Sequence, residues 1–493
     1  MMAVLMRREV ITPHLGSGHI LAQSARDTDV WLGLYLPSGT CIGVLNTQTH
    51  PRIENGEYGQ AMQFWAKMDI TVLSFPTEIK LSGDAWASRD QGLREFHFVV
   101  SSEEHRMSVS ARIDDGLLKG EVATGGETIP LEIPVGKNLL LSGNMGTAAL
   151  NVPGIEPGDE VFVDTFDPMT MGVSKAKLSC VGEEAIEYGG KQVPTKVMVT
   201  SVGGITSKAW VSYDDEVIRA ETPFGFILRR ITQGEAMDAI KPDRDATELL
   251  GLMAVRPTGA AVARGAALMR FRLANPPEGK ALPEDDTQQR EGDDRYVVRT
   301  PPEPVDPSGA VLDDGVKAEF LGGDTFVQTD HPLIRGQAEA IIGGETDTWQ
   351  RAMRVYEWVY ASIEKKAVMS LPSALDVLQT REGDCNEHTV LFAALARAAG
   401  VPTRIAIGLA WSDLLSGFYY HAWPEVYVGR WTWMDPTLGQ PVADATHIKL
   451  LTGSLDKWSQ LLAYLGTIGI DVLETDTSGP NTIESDATAE TQP

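Results

Sequence analysis

Three residues in the last third of the chain have the types and order of a nucleophile, a base and an orienting acid. Cys385 stands in Arg381-Glu-Gly-Asp-Cys-Asn-Glu-His-Thr389, His421 in Tyr420-His-Ala-Trp-Pro-Glu-Val-Tyr-Val428, and Asp435 in Trp431-Thr-Trp-Met-Asp-Pro-Thr437. Cys385 precedes His421 by 36 residues, and His421 precedes Asp435 by 14. In such a set the imidazole takes the thiol proton and later returns it to a leaving group, while the carboxylate holds the tautomer. The chemistry is acyl transfer. The sulfur attacks a carboxamide or peptide carbonyl, ammonia or an amine leaves, and the thioester passes to water or to an acceptor amine. Hydrolysis is the simpler outcome, because water needs no dedicated site.

The elements that must hold these residues are legible around them. Asp384 has the type of an N-cap and Glu387 stands three residues on, a capping box that makes Cys385 the first helical residue. Gly400 and Pro402 end that helix. Its body, Val390-Leu-Phe-Ala-Ala-Leu-Ala396, is apolar on nearly every side, so the helix is expected to be central and buried with only its first turn reaching the surface. A thiol there faces free backbone N–H groups and the positive end of the helix dipole, which favours the thiolate, with Asp384 acting against it. Tyr420–Val428 has the pattern of a strand, Gly429-Arg430 of a tight turn, and Trp431 onward of the returning strand. If Val428 and Trp431 flank a two-residue turn, Asp435 lies opposite Pro424. That is three positions, about 10 Å, from His421 and on the wrong face. A triad therefore predicts an irregularity, with a bulge near Pro424 restoring the parity.

Other groups near these motifs have plainer roles. The Cys-x-x-His spacing of Cys385 and His388 lacks the second matched pair of a zinc site, so neither a metal nor a cofactor is expected. His388 is expected on the helix surface or behind the chemistry. Trp423, Trp431 and Trp433 are expected to pack around the histidine strand, with Trp423 on the face of His421. Cys41 and Cys180 fall in β-rich sequence as small core residues. The backbone N–H of Cys385 is the expected oxyanion donor; the second donor is not evident, with Asn386 adjacent.

With these motifs in order, residues about 345–445 resemble the transglutaminase-like superfamily of papain-related cysteine enzymes. The matching pieces are Ser373–Leu378 ahead of Gly-Asp-Cys385, the helix ending Ala-Gly-Val-Pro-Thr-Arg404, His-Ala-Trp-Pro-Glu425, and Trp-Met-Asp-Pro-Thr437. The resemblance implies a nucleophile at Cys385, a base at His421 and an orienting aspartate at Asp435, with a protein or peptide amide as substrate. The superfamily includes crosslinkers, deamidases, peptidases and inactive binding forms. A catalytically inactive scaffold, whose β-rich half binds a protein or lipid partner, is the alternative reading.

The rest of the chain sets the frame. The expected fold class is α+β. A β-rich antiparallel half at 1–242 precedes a small β-module or Pro- and acid-rich linker at 243–310. A transglutaminase-like domain at 311–473 and a disordered acidic tail at 474–493 complete it. Strand-length runs such as Met68–Leu73, Glu95–Val100, Met107–Ile113 and Lys196–Thr200, with turns such as Asp114-Asp-Gly116, indicate one extended or barrel-like antiparallel sheet. A partner or lipid on that sheet is the sharper alternative to a plain sheet with one wet face. The segment Pro276–Pro307 carries seven prolines among dense charge, which is the basis of the linker reading. Lys and Arg number 42 against 68 Asp and Glu, a net charge of −26 that argues against nucleic acid. No apolar stretch reaches the ~18 residues of a membrane-spanning helix, so no integral membrane segment is expected. Three cysteines exclude a disulfide scaffold. At the amino terminus, Arg7, Arg8 and Glu9 interrupt the apolar start before a secretory core forms, which points to the cytoplasm, or to an extracytoplasmic site if the start is truncated.

Overall fold

A computed structural model describes residues 27–476 apart from 73–74, 90–91, 103–104, 125–126, 137–138, 142–154, 169–170, 203–204, 215, 223–224, 241–246, 249–253, 278–280, 303–313, 325, 367–372, 454–463 and 465–467. The chain divides into two compact units, 1–247 and 248–493. Among the described residues, no helix is long and apolar enough to cross a membrane.

The first unit is one large sheet, nearly all antiparallel. Thr28–Tyr35 lies in the middle, hydrogen-bonded to Cys41–Glu54 on one side and Ile227–Arg230 on the other. From Cys41–Glu54 the strands follow one another as a meander to Glu127–Pro134, and from Ile227–Arg230 they step back to Glu160–Asp167 and Leu140–Leu141. Leu93 N donates to Leu139 O at 3.0 Å, and the Phe96 and Phe166 rings approach to 5.5 Å between centroids. The two arms therefore meet and the sheet curls back on itself. The strand runs expected from alternation fall inside the observed strands Glu57–Val72, Gly92–Ser102, His105–Asp114 and Lys191–Val202, with Leu73 outside the described residues. Asp115 and Gly116 both adopt positive φ, 47° and 76°, as the twist of a two-residue hairpin turn requires. A short helix, Gln233–Ala239, is capped by Thr232 and seats Ala236 against Trp31 and Val44.

The second unit is the α+β part. The helix Cys385–Ala398 lies at its centre, buried from Glu387 through Ala396, with Cys385 and Asn386 half-buried at its start. Around it pack Pro332–Ile342, Thr348–Ser362 and Ala374–Thr380 in one apolar core that includes Trp349, Val355, Val359, Leu391 and Phe392. Asp347 caps Thr348–Ser362 and Ser373 caps Ala374–Thr380, in both cases by a side-chain oxygen accepting a backbone N–H. A four-stranded antiparallel sheet runs in the order Trp431–Trp433, Gly417–Tyr427, Thr403–Ser412, His447–Thr452.

Of the Pro-rich segment, the described residues include a β-hairpin that belongs to a small β-module. Gln288–Arg290 and Arg295–Arg299 form a hairpin beside Leu268–Ala274, which pairs on its other edge with Gly469–Asp476. The expected tail therefore begins too early. Glu474, Thr475 and Asp476 close a strand because Leu268–Ala274 offers them a backbone partner, and Arg270 forms an ion pair with Glu474. Residues 477–493 lie outside the described residues. The module shares a second apolar core with the four-stranded sheet, in which Phe271, Tyr296, Trp423, Trp433 and Ile448 are buried.

Candidate active site

The local sequence around Cys385 folds as its capping residues dictate. Asp384 Oδ1 accepts from the Asn386 N–H at 2.8 Å, and Glu387 Oε2 accepts from the Asp384 N–H at 3.0 Å. This is a complete capping box, and it places Cys385 at the first helical position. Gly383 makes the box possible. A Cβ there would stand 2.1 Å from Glu387 Cβ.

His421 and Asp435 are brought together, and the route differs from the expected one. The observed register pairs Tyr427 with Trp431, Val426 with Thr432 and Glu425 with Trp433, without a shift. The connection is thus Val428-Gly429-Arg430, one residue longer than a two-residue turn, with Gly429 at φ 85°. Met434 N donates to Pro424 O at 3.0 Å, so the next residue, Asp435, comes level with Trp423, two positions from His421. Two is even, and parity is satisfied without a bulge at Pro424. The irregularity lies one strand away, between Ile407 and Gly408 in their pairing with His447–Thr452.

The geometry of the pair is specific. His421 Nε2 donates to Asp435 Oδ2 at 2.7 Å, and both side chains are fully buried. Asp435 Oδ1 accepts the backbone N–H groups of Thr437 and Leu438 at 2.9 and 2.8 Å. Among the described residues, the buried His421 Nδ1 has no hydrogen-bond partner. With Nε2 carrying the proton shared with Asp435, Nδ1 holds the lone pair of the neutral ring. Tyr419 and Trp423 flank the imidazole at centroid distances of 5.3 and 6.2 Å. Trp423 thus sits beside the ring, as its parity predicted.

The Cys385 helix meets the His421 strand at Ala422. The strand Trp431–Trp433 is short, and its pairing with Gly417–Tyr427 covers Glu425–Tyr427 and leaves Ala422 outside it. There the helix takes over. Thr389 Oγ1 donates to Ala422 O at 3.0 Å, and the polar backbone of Ala422 acts to lower the proton affinity of the Cys385 thiol. Larger effects act the other way, since burial and then the Asp384 carboxylate push the thiol well above its ordinary value. The expectation that the helix start leaves a ready thiolate is therefore reversed by desolvation. Ionisation at Cys385 needs a nearby proton acceptor.

His388 is fully buried rather than on the helix surface. Its Nδ1 donates to Asp384 O at 2.7 Å, and burial lowers its proton affinity. Asn386 approaches the sulfur only weakly, with Oδ1 at 3.8 Å. Of the other cysteines, Cys180 is buried and Cys41 half-buried at the start of its strand, and neither is in a disulfide.

One residue of the site has no counterpart in the sequence reading. His447 Nε2 lies 3.0 Å from the same Asp435 Oδ2 that His421 uses, and His447 Nδ1 lies 3.2 Å from Asp444 O. His421 stands opposite Gly408 and His447 opposite Ala410 on the shared middle strand, two positions apart and on one face. Glycine and alanine there leave room for two rings whose centroids are 5.9 Å apart. That pair of small residues between two histidine strands is the signal that could have found it. Among the described residues, His421, Asp435 and His447 are also the group with metal-ligating composition, their ligand atoms lying within 4.8 Å of one another. Both imidazoles direct the nitrogen they would offer a metal at Asp435, so the set is occupied by its own hydrogen bonds.

The same face carries a buried ionic cluster. Lys449 Nζ contacts Glu425 Oε1 at 2.7 Å and also Asp285, and Arg404 pairs with Glu425. Trp433 Nε1 donates to Asp285 Oδ2 at 3.2 Å. Asp285, from the Pro-rich segment, thereby pins the β-module to the two strands that flank the one carrying His421, through Arg404 and Trp433.

Residues 335–436 match the model of the transglutaminase-like superfamily, and the match spans Cys385, His421 and Asp435. It covers about a fifth of the chain and ends before His447. No curated protein matches the chain. Among solved structures, a candidate cysteine protease from Cytophaga hutchinsonii is similar at 18% identity, covering 42% of this chain and 81% of its own, with a TM-score of 0.29. A β-barrel-like protein of a domain family of unknown function from Brucella abortus is similar at 9% identity, covering 42% and 96%, also at 0.29. The periplasmic domain of TgpA from Pseudomonas aeruginosa, bound to ethylmercury, is similar at 15% identity, covering 36% and 91%, at 0.23. At these identities and TM-scores the neighbours assign no residue of this chain. The family match supports a cysteine-type enzyme at superfamily level.

Proposed function

We propose that this chain, whose residues 335–436 form a transglutaminase-like superfamily core, is a cysteine-dependent acyl-transfer enzyme acting on protein or peptide amides. Cys385 is the nucleophile, His421 the base and Asp435 the orienting acid. The observation that carries the reading is the division of labour on one imidazole. Nε2 is committed to Asp435 at 2.7 Å while the buried Nδ1 has no partner among the described residues, beside a strand residue, Ala422, whose carbonyl holds Thr389 of the Cys385 helix.

The steps follow from those atoms. As Cys385 Sγ bonds to the amide carbon, its proton moves to His421 Nδ1, and the carbonyl oxygen becomes an oxyanion near the helix start. The resulting imidazolium is held against Asp435. His421 then gives that proton to the departing nitrogen as the C–N bond breaks, leaving a thioester on Cys385 and free ammonia or amine. Water enters next. His421 takes one of its protons as the water oxygen bonds to the thioester carbon, the C–S bond then breaks, and the acid leaves as His421 returns the proton to Cys385 Sγ. An amine entering in place of water gives transfer instead, with the same residues in the same roles.

The raised proton affinity of Cys385 makes His421 indispensable rather than helpful. A glutaminyl and amine-donor peptide panel tests the function, with cleavage, deamidation and amine incorporation read by mass spectrometry. Wild type is expected to convert at least one member, and Cys385→Ala none. A panel that Cys385→Ala and wild type treat alike overturns the reading and leaves a non-catalytic scaffold.

A further inference from the structure

The second histidine on Asp435 calls for its own account. Both partners of His447 are acceptors only. Nε2 lies 3.0 Å from a carboxylate oxygen, Asp435 Oδ2, and Nδ1 lies 3.2 Å from a backbone carbonyl, Asp444 O. An acceptor cannot meet a nitrogen lone pair, so each ring nitrogen must carry a hydrogen for both contacts to be bonds. Such a ring is an imidazolium.

The surroundings are built for that charge. Asp444 is itself tied down, with Oδ1 accepting from Thr446 N at 2.8 Å and Oδ2 from Gly265 N at 2.8 Å and Gln440 Nε2 at 2.7 Å. Gln440 in turn accepts from Asp444 N at 2.9 Å through its Oε1 and exchanges backbone bonds with Asp435. The ring Asp435–Gln440–Asp444–His447 thus closes on itself. His447 is fully buried, with Trp423 edge-on at 5.1 Å. The charged groups that face it are Asp444 from the turn before its own strand and Asp435 from the turn after Trp431–Trp433. His421 faces it from the strand beyond Gly408.

We propose that His447 is a positioning residue of this site, an imidazolium that clamps Asp435 through the oxygen shared with His421 and opposes a second positive charge beside it. The clamp removes the freedom of Asp435 to rotate away from His421. The fixed charge lies 5.9 Å from the His421 ring, where like charges repel. Burial alone would discharge His447; the two carboxylates instead raise it to about 9. The inference rests on the catalytic reading above for its purpose, though the protonation state stands without it.

Two measurements on the full chain test it. In the first, nitrogen-15 spectra of histidine-labelled protein at pH 7.5 are assigned by the signal lost in His447→Gln, or by elimination with His421→Ala if the glutamine variant does not fold. The expected result is hydrogen on both His447 nitrogens. A single-proton ring overturns the proposal, and so does stoichiometric zinc retained by wild type and lost with His447. In the second, the pH profile of Cys385 alkylation by iodoacetamide is compared between wild type and His447→Gln, which keeps an N–H for Asp435 without the charge. Losing the charge should move the acid limb upward by on the order of one unit. A plateau that falls while the limb stays in place marks a merely structural histidine and overturns the proposal. A wild type whose Cys385 is unreactive instead removes the catalytic reading, and the nitrogen-15 result still decides the state of His447.

Discussion

Asp435 Oδ2 accepts hydrogen bonds from two histidines at once, His421 Nε2 at 2.7 Å and His447 Nε2 at 3.0 Å. A buried carboxylate can serve two cationic or polar donors because its own charge is held by them. Their attraction and hydrogen bonds outweigh burial and keep Asp435 far below the usual carboxylate range.

Asp435→Asn follows directly. The amide keeps one acceptor but adds two donors into a space that already faces N–H groups from His421, His447, Thr437 and Leu438. Turnover should fall by roughly 10²–10⁴, as expected for a base left in the wrong tautomer. Stability should fall by about 2–4 kcal/mol from the buried mismatch. Steady-state rates and urea unfolding measure the two effects separately.

The charge on His447 makes stability depend on alkaline pH. Its proton affinity is raised in the folded state to about 9, against ~6.5 unfolded, so its contribution is full below pH ~6.5. That contribution, about 3 kcal/mol, is lost as pH rises through about 9. Asp435 and Asp444 act with the opposite sign, being held low in the folded state, and their contribution is lost as pH falls below ~4. Melting temperature followed from pH 6 to 10 should decline in wild type and decline less in His447→Gln.

Gly383→Ala should unseat the nucleophile without touching it. The new Cβ meets Glu387 Cβ at 2.1 Å, and the capping box opens. A loss of about 1–3 kcal/mol is expected from the displaced cap and overpacking. Cys385 should then lose any reactivity advantage over Cys41, measured by alkylation and mass spectrometry.

Lys449→Met tests the ionic cluster behind the histidine strand. Removing Lys449 leaves Asp285 and Glu425 to share Arg404 in a buried setting. Breaking such a cluster from one side costs about 3–5 kcal/mol. A lowered urea midpoint at unchanged slope is the expected outcome. The double replacement of Lys449 by Met and Glu425 by Gln should recover part of the loss.

Much of this site was legible before any coordinates. Asp384, Glu387, Gly400 and Pro402 punctuate the Cys385 helix by local rules, and the helix forms between them. The histidine strand and its return were equally local. What failed was a count across a turn. One extra residue in Val428-Gly429-Arg430 changes the parity of everything after it, and turn residues alone do not fix that number. His447 left only the small residues Gly408 and Ala410 as a trace, and the Asp285–Lys449 contact depends on a pairing between segments far apart in the chain, which no local pattern encodes. The strand Gly469–Asp476 was missed for the same reason, since its acidic end is neutralised by Arg270 some 200 residues earlier. The large antiparallel sheet was legible because alternation and turn residues repeat along each hairpin.

The central claim is that His421 converts a reluctant thiol into a nucleophile. Its most direct test is the rate of iodoacetamide alkylation of the three cysteines at neutral pH, resolved by mass spectrometry in wild type and His421→Ala. The account predicts that Cys385 reacts fastest in wild type and falls below Cys41 when His421 is removed. Cys385 reacting no faster than Cys41 or Cys180 in wild type, or reacting equally fast without His421, would contradict it.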